Sequence, residues 1–188
     1  MATMTRLTAD DLLAMPDEGR GFELVNGELR ELSMSMESGH VGASILSIIR
    51  AYAYPRKLGV LLPQEVGFKC FEDPDLVKRP DVAFIEQRRI TREQYLARGY
   101  CPIRPDLVVE VVSPSEDNAT IHDKREEWLA AGVPIFWIAD PRDETIRVYR
   151  AGEKPQLFTS LDAIAVEPFL PGFTCLVSEF FAPPPGLV

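Results

Sequence analysis

The segment that most constrains this chain is Leu107 to Val112, an apolar run interrupted only by Glu110 and bounded by Pro105 on one side and Ser113-Pro114-Ser115 on the other. Such a run reads as a central strand buried on both faces. A helix from about Ala119 to Ala131 follows and stops at Gly132, after which Pro134 to Ala139 forms a second apolar strand ended by Asp140-Pro141. Strand, helix and strand in this order make a parallel crossover, so part of the sheet must be parallel. Within that frame Glu110 is an anomaly, because an ionised carboxylate in a doubly buried strand is costly unless a cation pairs with it. The nearest partner is Lys124, which lies in the stripe Ile121, Trp128 and Ala131 on the following helix, the face that should pack on the sheet. Two plainer readings stand beside this one: a structural ion pair that is merely tolerated, or a surface pair of Lys124 with Glu127.

The flanking sequence supplies more strands and helices. Thr8-Ala-Asp-Asp11 has the form of a capping box and predicts a short N-terminal helix that Pro16 ends. Phe22 to Val25 and Glu28 to Leu32 flank Asn26-Gly27, the signature of a two-residue β-hairpin turn. Val41, Ile45, Ile48 and Tyr52 recur at helical spacing between Gly39 and Lys57 and predict the first long helix. Leu61 to Phe71 and Pro80 to Ile85 read as strands, Thr91-Arg-Glu-Gln94 as the cap of another short helix, Thr145 to Tyr149 as a further strand, and Ser178 to Phe181 as one helical turn. The expectation is one α+β domain over residues 1–188, a mixed central β-sheet flanked by helices, with an N-terminal helix and β-hairpin.

Charge and cysteine usage narrow the function classes. The net charge of -9 argues against strong nonspecific binding to a polyanion, since Lys and Arg supply most of that affinity. The charge is uneven, however: Arg50 to Arg104 carries 11 Lys and Arg against 7 Asp and Glu. Cys70, Cys101 and Cys175 are odd in number and widely spaced, which suggests neither a disulfide framework nor a thiolate zinc site. The absence of an apolar leader or a run of membrane-spanning length predicts a cytoplasmic protein.

Asp81 supplies a second carboxylate, since Arg79-Pro80-Asp81-Val82-Ala83-Phe84 sets an acid at the opening of an apolar strand. Two strand-borne acids and a lysine are the parts for hydrolysing a phosphodiester with a hard divalent cation, Mg²⁺ or Mn²⁺. Asp81 could equally be a solvated or capping acid. At this point the chain resembles the PD-(D/E)xK nuclease superfamily, with Pro80-Asp81 as its PD element and Glu110-Val111-Val112 where the family has acid-x-Lys. Val112 stands where the lysine should be, and the resemblance implies that Lys124 on the following helix takes its place.

Within that superfamily the chain is similar to the Uma-two family of restriction-endonuclease-like proteins. The likeness rests on Phe22-Glu-Leu-Val-Asn-Gly-Glu28, His40, Arg79-Pro-Asp-Val82 and Pro105-Asp-Leu-Val-Val-Glu-Val-Val-Ser-Pro-Ser115, on Lys124 four residues before Trp128, and on Gly132-Val133 with Phe136-Trp-Ile-Ala-Asp-Pro141. It implies a restriction-endonuclease-like core and a metal-dependent endonuclease acting on DNA, with Asp81, Glu110 and Lys124 catalytic and Asp81 and Glu110 holding Mg²⁺ or Mn²⁺. His40 and Glu65 are accessory candidates, and the hairpin register leaves open which of Glu23 and Glu28 faces the site. A homodimer would suit duplex cleavage, which needs two sites. The alternatives are a catalytically inactive nuclease-like module that binds nucleic acid or a protein, and a hydrolase of smaller phosphoesters.

Overall fold

Residues 6–33 and 35–186 are described by the structure, a computed structural model. Local sequence signals set its first elements. Helix α1 (Ala9–Leu13) opens on a reciprocal cap in which Thr8 Oγ1 accepts from the Asp11 N–H while the Asp11 carboxylate accepts from the Thr8 N–H. Strands β1 (Phe22–Val25) and β2 (Glu28–Glu31) pair antiparallel with Val25 opposite Glu28. Asn26 and Gly27 both take positive φ, 54° and 76°, as a two-residue hairpin turn demands. Helix α2 (Met36–Ala53) begins a turn earlier than its apolar stripe because Ser35 and Ser38 cap each other, and it buries Val41, Ile45, Ile49 and Ala53.

The remaining elements are β3 (Gly59–Pro63), β4 (Val82–Glu86), α3 (Arg92–Leu96), β5 (Leu107–Val111), α4 (Asn118–Ala130), β6 (Ile135–Asp140), β7 (Thr145–Arg150), β8 (Gln156–Phe158), β9 (Ala163–Ile164), β10 (Cys175–Leu176) and α5 (Val177–Phe181). Strands β3 to β8 form one mixed sheet in sequence order. Only β5 and β6 run parallel, joined by α4 as the crossover, and the other neighbours are antiparallel. One face packs Val82, Phe84, Leu107, Val109, Val111 and Trp137 against α2 and α5. The opposite face packs Ala83, Ile85, Val108 and Phe136 against Trp128 of α4. Side chains alternate along a strand, so Glu110 shares the α4 face with Val108.

Two expected strands have different bounds. Leu61 to Phe71 is not one strand: β3 starts at Gly59 and ends at Pro63, and Phe68 then makes single bridges to Lys78 and Cys101. Pro63 has no N–H to continue a ladder, which fits the break. The strand expected from Pro80 begins at Val82, leaving Asp81 in a bend just outside it. Among the described residues no helix is long and apolar enough to cross a membrane.

Candidate functional site

Glu110 is 6% exposed on the central strand β5, and both its oxygens are engaged from α4. Lys124 Nζ donates to Oε2 at 2.9 Å and Trp128 Nε1 donates to Oε1 at 3.0 Å. Asp117 caps α4 by accepting from the Thr120 N–H, which sets the helix phase so that Lys124 and Trp128, four residues apart, lie on the same face. Glu116, from the loop before the helix, lies 2.7 Å from Lys124 Nζ on its second side. Val112 is 4% exposed and lines a narrow cleft with Glu110, Glu116, Ile121 and Lys124, so an apolar group does stand beside the lysine on this face.

Asp81 comes within reach of the Glu110 charge from the start of β4, with its Cβ and the Val111 side chain both beside Gly42 of α2. The pairing of Val82 with Val109 and Ala83 with Val108 would, one step further, set Asp81 opposite Glu110. The chain bends at Asp81, and its side chain takes over from the ladder: Oδ2 accepts from the Val111 N–H at 2.6 Å and Oδ1 from Gln64 Nε2 at 3.1 Å. Burial, and after it the negative charge of Glu110, lift the Asp81 carboxyl to about 7. Burial also raises Glu110 above the ordinary carboxyl range, against the pull of Lys124. Burial pulls Lys124 toward its neutral form, but Glu110 and Glu116 outweigh it and hold the ammonium above the usual lysine value. The two carboxylates thus favour the charged form of Lys124.

A second ion cluster adjoins the first. Lys78 is fully buried, with Nζ 2.6 Å from Glu23 Oε2 and 2.8 Å from Glu127 Oε2. Glu23 also accepts the Arg79 N–H at 2.7 Å, so the hairpin register turns Glu23 inward and leaves Glu28 exposed. The Arg79 guanidinium donates to the backbone carbonyls of Phe22, Glu65 and Glu18, tying the hairpin to the approach to β4. The charges of Glu23 and Lys78 both act on Glu110. Glu110, Glu116, Glu23 and Glu127 thus pair with the ammonium groups of Lys124 and Lys78, and Asp81 adds a fifth carboxyl within reach of the Glu110, Lys124 and Glu116 charges.

Other expected residues lie apart. His40 Nε2 lies 3.0 Å from the Ala182 carbonyl, so its ring joins α2 to the C-terminal segment. Glu65 is exposed and lines a different groove with Arg20 and Tyr100, while its neighbour Gln64 is the one that reaches Asp81. Asp140 does end its strand, and it holds Arg142. Much of the basic stretch from Arg50 to Arg104 lies away from this cleft. Lys78 is buried in its ion pairs, while Lys57 and Arg92 flank a groove by Gly59 and Gln87, the opposite end of β4 from Asp81.

Sequence reasoning missed Lys78, Gln64 and Glu116, none of which lies in a periodic pattern. Trp128 carried a usable signal, because a buried indole N–H requires an acceptor and Glu110 was the polar group on the facing strand. Among the described residues no group of three or more His, Cys, Asp or Glu is arranged to hold a metal ion. Asp81 and Glu110 are nonetheless hard oxygen donors with lone pairs left over after their present hydrogen bonds, and Mg²⁺ characteristically takes one or two carboxylates and keeps several waters. The excess of carboxylates fits such a cation.

A family model described as "Putative restriction endonuclease" matches residues 9–178. The crystal structure of a protein from Anabaena variabilis ATCC 29413, described as a "putative nuclease", aligns over 93% of this chain and 97% of its own with a TM-score of 0.77 and 21% identity. At that identity the likeness establishes a shared fold. No curated protein gives a match.

Proposed function

Starting from the chain's membership of the Uma2 family, which is described as "Putative restriction endonuclease", we propose that this protein is a divalent-metal-dependent endonuclease that hydrolyses DNA phosphodiester bonds at Asp81, Glu110 and Lys124. The observation that carries the reading is the buried Glu110 held by Lys124 beside an Asp81 whose carboxyl is lifted to about 7, in a cluster with too few cations for its carboxylates. Asp81 and Glu110 would hold Mg²⁺ or Mn²⁺, which supplies charge neutralisation for the phosphate and acidifies a water nucleophile.

The side chains divide the remaining work. Trp128 and Lys124 fix the Glu110 carboxylate from two directions, so its free lone pairs point to one place. The Val111 N–H and Gln64 do the same for Asp81. Lys124 has three N–H donors, of which Glu110 and Glu116 occupy two. The third orients the attacking water and meets the charge that grows on the phosphoryl oxygens. Because Glu110 and Glu116 keep Lys124 protonated, it acts as a donor and not as the base.

Calorimetric titration with Mn²⁺ and nicking of supercoiled plasmid, each run on wild type and Asp81→Ala, test the proposal together. Binding and nicking should both vanish in the variant. Nicking that persists in Asp81→Ala, or in wild type stripped of divalent cations, sinks it. Mn²⁺ binding without cleavage of any nucleic acid would favour the inactive binding module.

A further inference from the structure

The alternation that sets Glu110 on the α4 face continues across the sheet. Ile138 pairs with Glu110, Arg147 with Ile138, and Leu157 with Arg147, so a single row crosses from β5 to β8. A groove of about 500 Å³ runs over this row between α4 and β6–β8. Its charged lining is three arginines, Arg125 from α4 and Arg142 and Arg147 from the β6–β7 hairpin, against Asp140 and Asp143, with His122, Asn118 and Thr145 as further polar groups. Its near wall, Val112, Ile121 and Ile138, is also the wall of the narrow cleft that holds Glu110 and Lys124. The groove thus adjoins the candidate centre across this shared wall.

The arginines are held in place. Arg142 donates from Nε and Nη2 to the two oxygens of Asp140, at 2.8 and 2.6 Å, leaving Nη1 uncommitted to that pair. Arg125 lies over the Tyr149 ring with Cζ 5.3 Å from its centroid, and its Nε and Nη2 both donate to Glu126 Oε1, at 2.9 and 2.6 Å, leaving Nη1 uncommitted to that pair. Arg147 is exposed and joins no ion pair among the described residues. Arg147 can meet a phosphate through paired donors, and Arg125 and Arg142, steadied by their carboxylates, through the Nη1 groups left over.

We propose that this groove binds the phosphate backbone of a nucleic-acid strand, with Arg125, Arg142 and Arg147 as its contacts, and leads the strand to Glu110 and Lys124. Two strand spacings separate the Glu110 and Arg147 positions, about 10 Å. That spans about three nucleotides of a stacked strand. The proposal rests on the nuclease reading above and names the surface by which that site takes its substrate. Its arginines lie outside the basic stretch Arg50 to Arg104.

The test is anisotropy of a fluorescein-labelled single-stranded DNA of about twenty nucleotides, titrated in Ca²⁺ over a range of salt concentrations. Wild type is compared with Arg147→Glu, the Arg142→Ala/Arg147→Ala pair, and Lys57→Glu in the distant groove. Melting curves accompany each variant, and the exposed position of Arg147 keeps at least one of them folded. We expect at least about a tenfold loss of affinity for both groove variants, a salt slope lower by about 1.4 in the double variant, and no change for Lys57→Glu. If wild type binds and the groove variants bind equally well, the groove is overturned while the nuclease reading stands. Hydrolysis of bis(p-nitrophenyl) phosphate without any oligonucleotide binding also overturns the groove and restricts the centre to small phosphoesters. Arginine-dependent binding with no hydrolysis of either substrate upholds the groove and rejects the hydrolytic reading.

Discussion

Replacing Asp81 with asparagine should stabilise the metal-free protein while disabling its centre. In the folded chain the Asp81 carboxyl stands at about 7 against an ordinary 3.8. Between those values the folded state holds a proton that the unfolded chain has lost, so stability falls as pH rises through this window and the loss is complete above pH 7. Three pKa units correspond to about 4 kcal/mol at pH 8, and about 2 kcal/mol is already lost at pH 5. Asparagine keeps an oxygen for the Val111 N–H, and Gln64 can turn its own carbonyl toward the new amide, so the cost of substitution is about one hydrogen bond to a charged group, on the order of 1–2 kcal/mol. Solvent at the edge of the site trims the gain further. Asp81→Asn should therefore exceed wild type at pH 8 by about 2 kcal/mol and lose most of that advantage by pH 5. Urea unfolding in EDTA at the two pH values measures it. Adding Mn²⁺ should then stabilise wild type and leave the variant unmoved, because only the carboxylate pair binds a cation that the unfolded chain does not. A difference between the two proteins that is the same at pH 5 and pH 8 would refute the strained-carboxylate account.

Further outcomes follow from neighbouring residues. Lys124→Met should abolish plasmid nicking while Mn²⁺ binding stays measurable by calorimetry; if it also unfolds about 3–5 kcal/mol more easily, its counter-ion role for Glu110 dominates. Wild-type nicking and melting together would remove Lys124 from the centre. Lys78→Met leaves Glu23 and Glu127 facing one another around a buried apolar chain and should cost about 3–5 kcal/mol in urea unfolding. Trp128→Phe deletes one donor to Glu110 and should cost about 1–3 kcal/mol and lower the Mn²⁺ affinity, as read by calorimetry. Mn²⁺ binding should weaken as pH falls below 7 and release a proton, since Asp81 must be ionised to bind; calorimetry in buffers of different ionisation enthalpy reports the count.

Much of this architecture is local in origin and was open to reading from the chain. Asn26-Gly27 selects a hairpin because it accepts positive φ, and Thr8 with Asp11 caps α1 within four residues. The doubly buried run around Glu110, the helix after it and the strand after that dictate a parallel crossover, and the phase of α4 alone carries Lys124 to Glu110. Those determinants act over a few residues or through one periodicity. Others arise only when distant segments meet. Whether Glu23 or Glu28 turns inward depended on where the hairpin docks, which the Arg79 guanidinium decides by binding carbonyls from three separate segments. Lys78 gained its place between Glu23 and Glu127 because β1, the approach to β4 and α4 converge there, a coincidence that no spacing along the chain encodes. The same holds for charge. Counting along the sequence located the basic stretch at Arg50 to Arg104, but folding sends Lys57 and Arg92 to the far end of β4 and gathers Arg125, Arg142 and Arg147 beside the centre. Sequence separation does not measure distance across a sheet, because side chains on neighbouring strands meet at one strand spacing however long the connection between them.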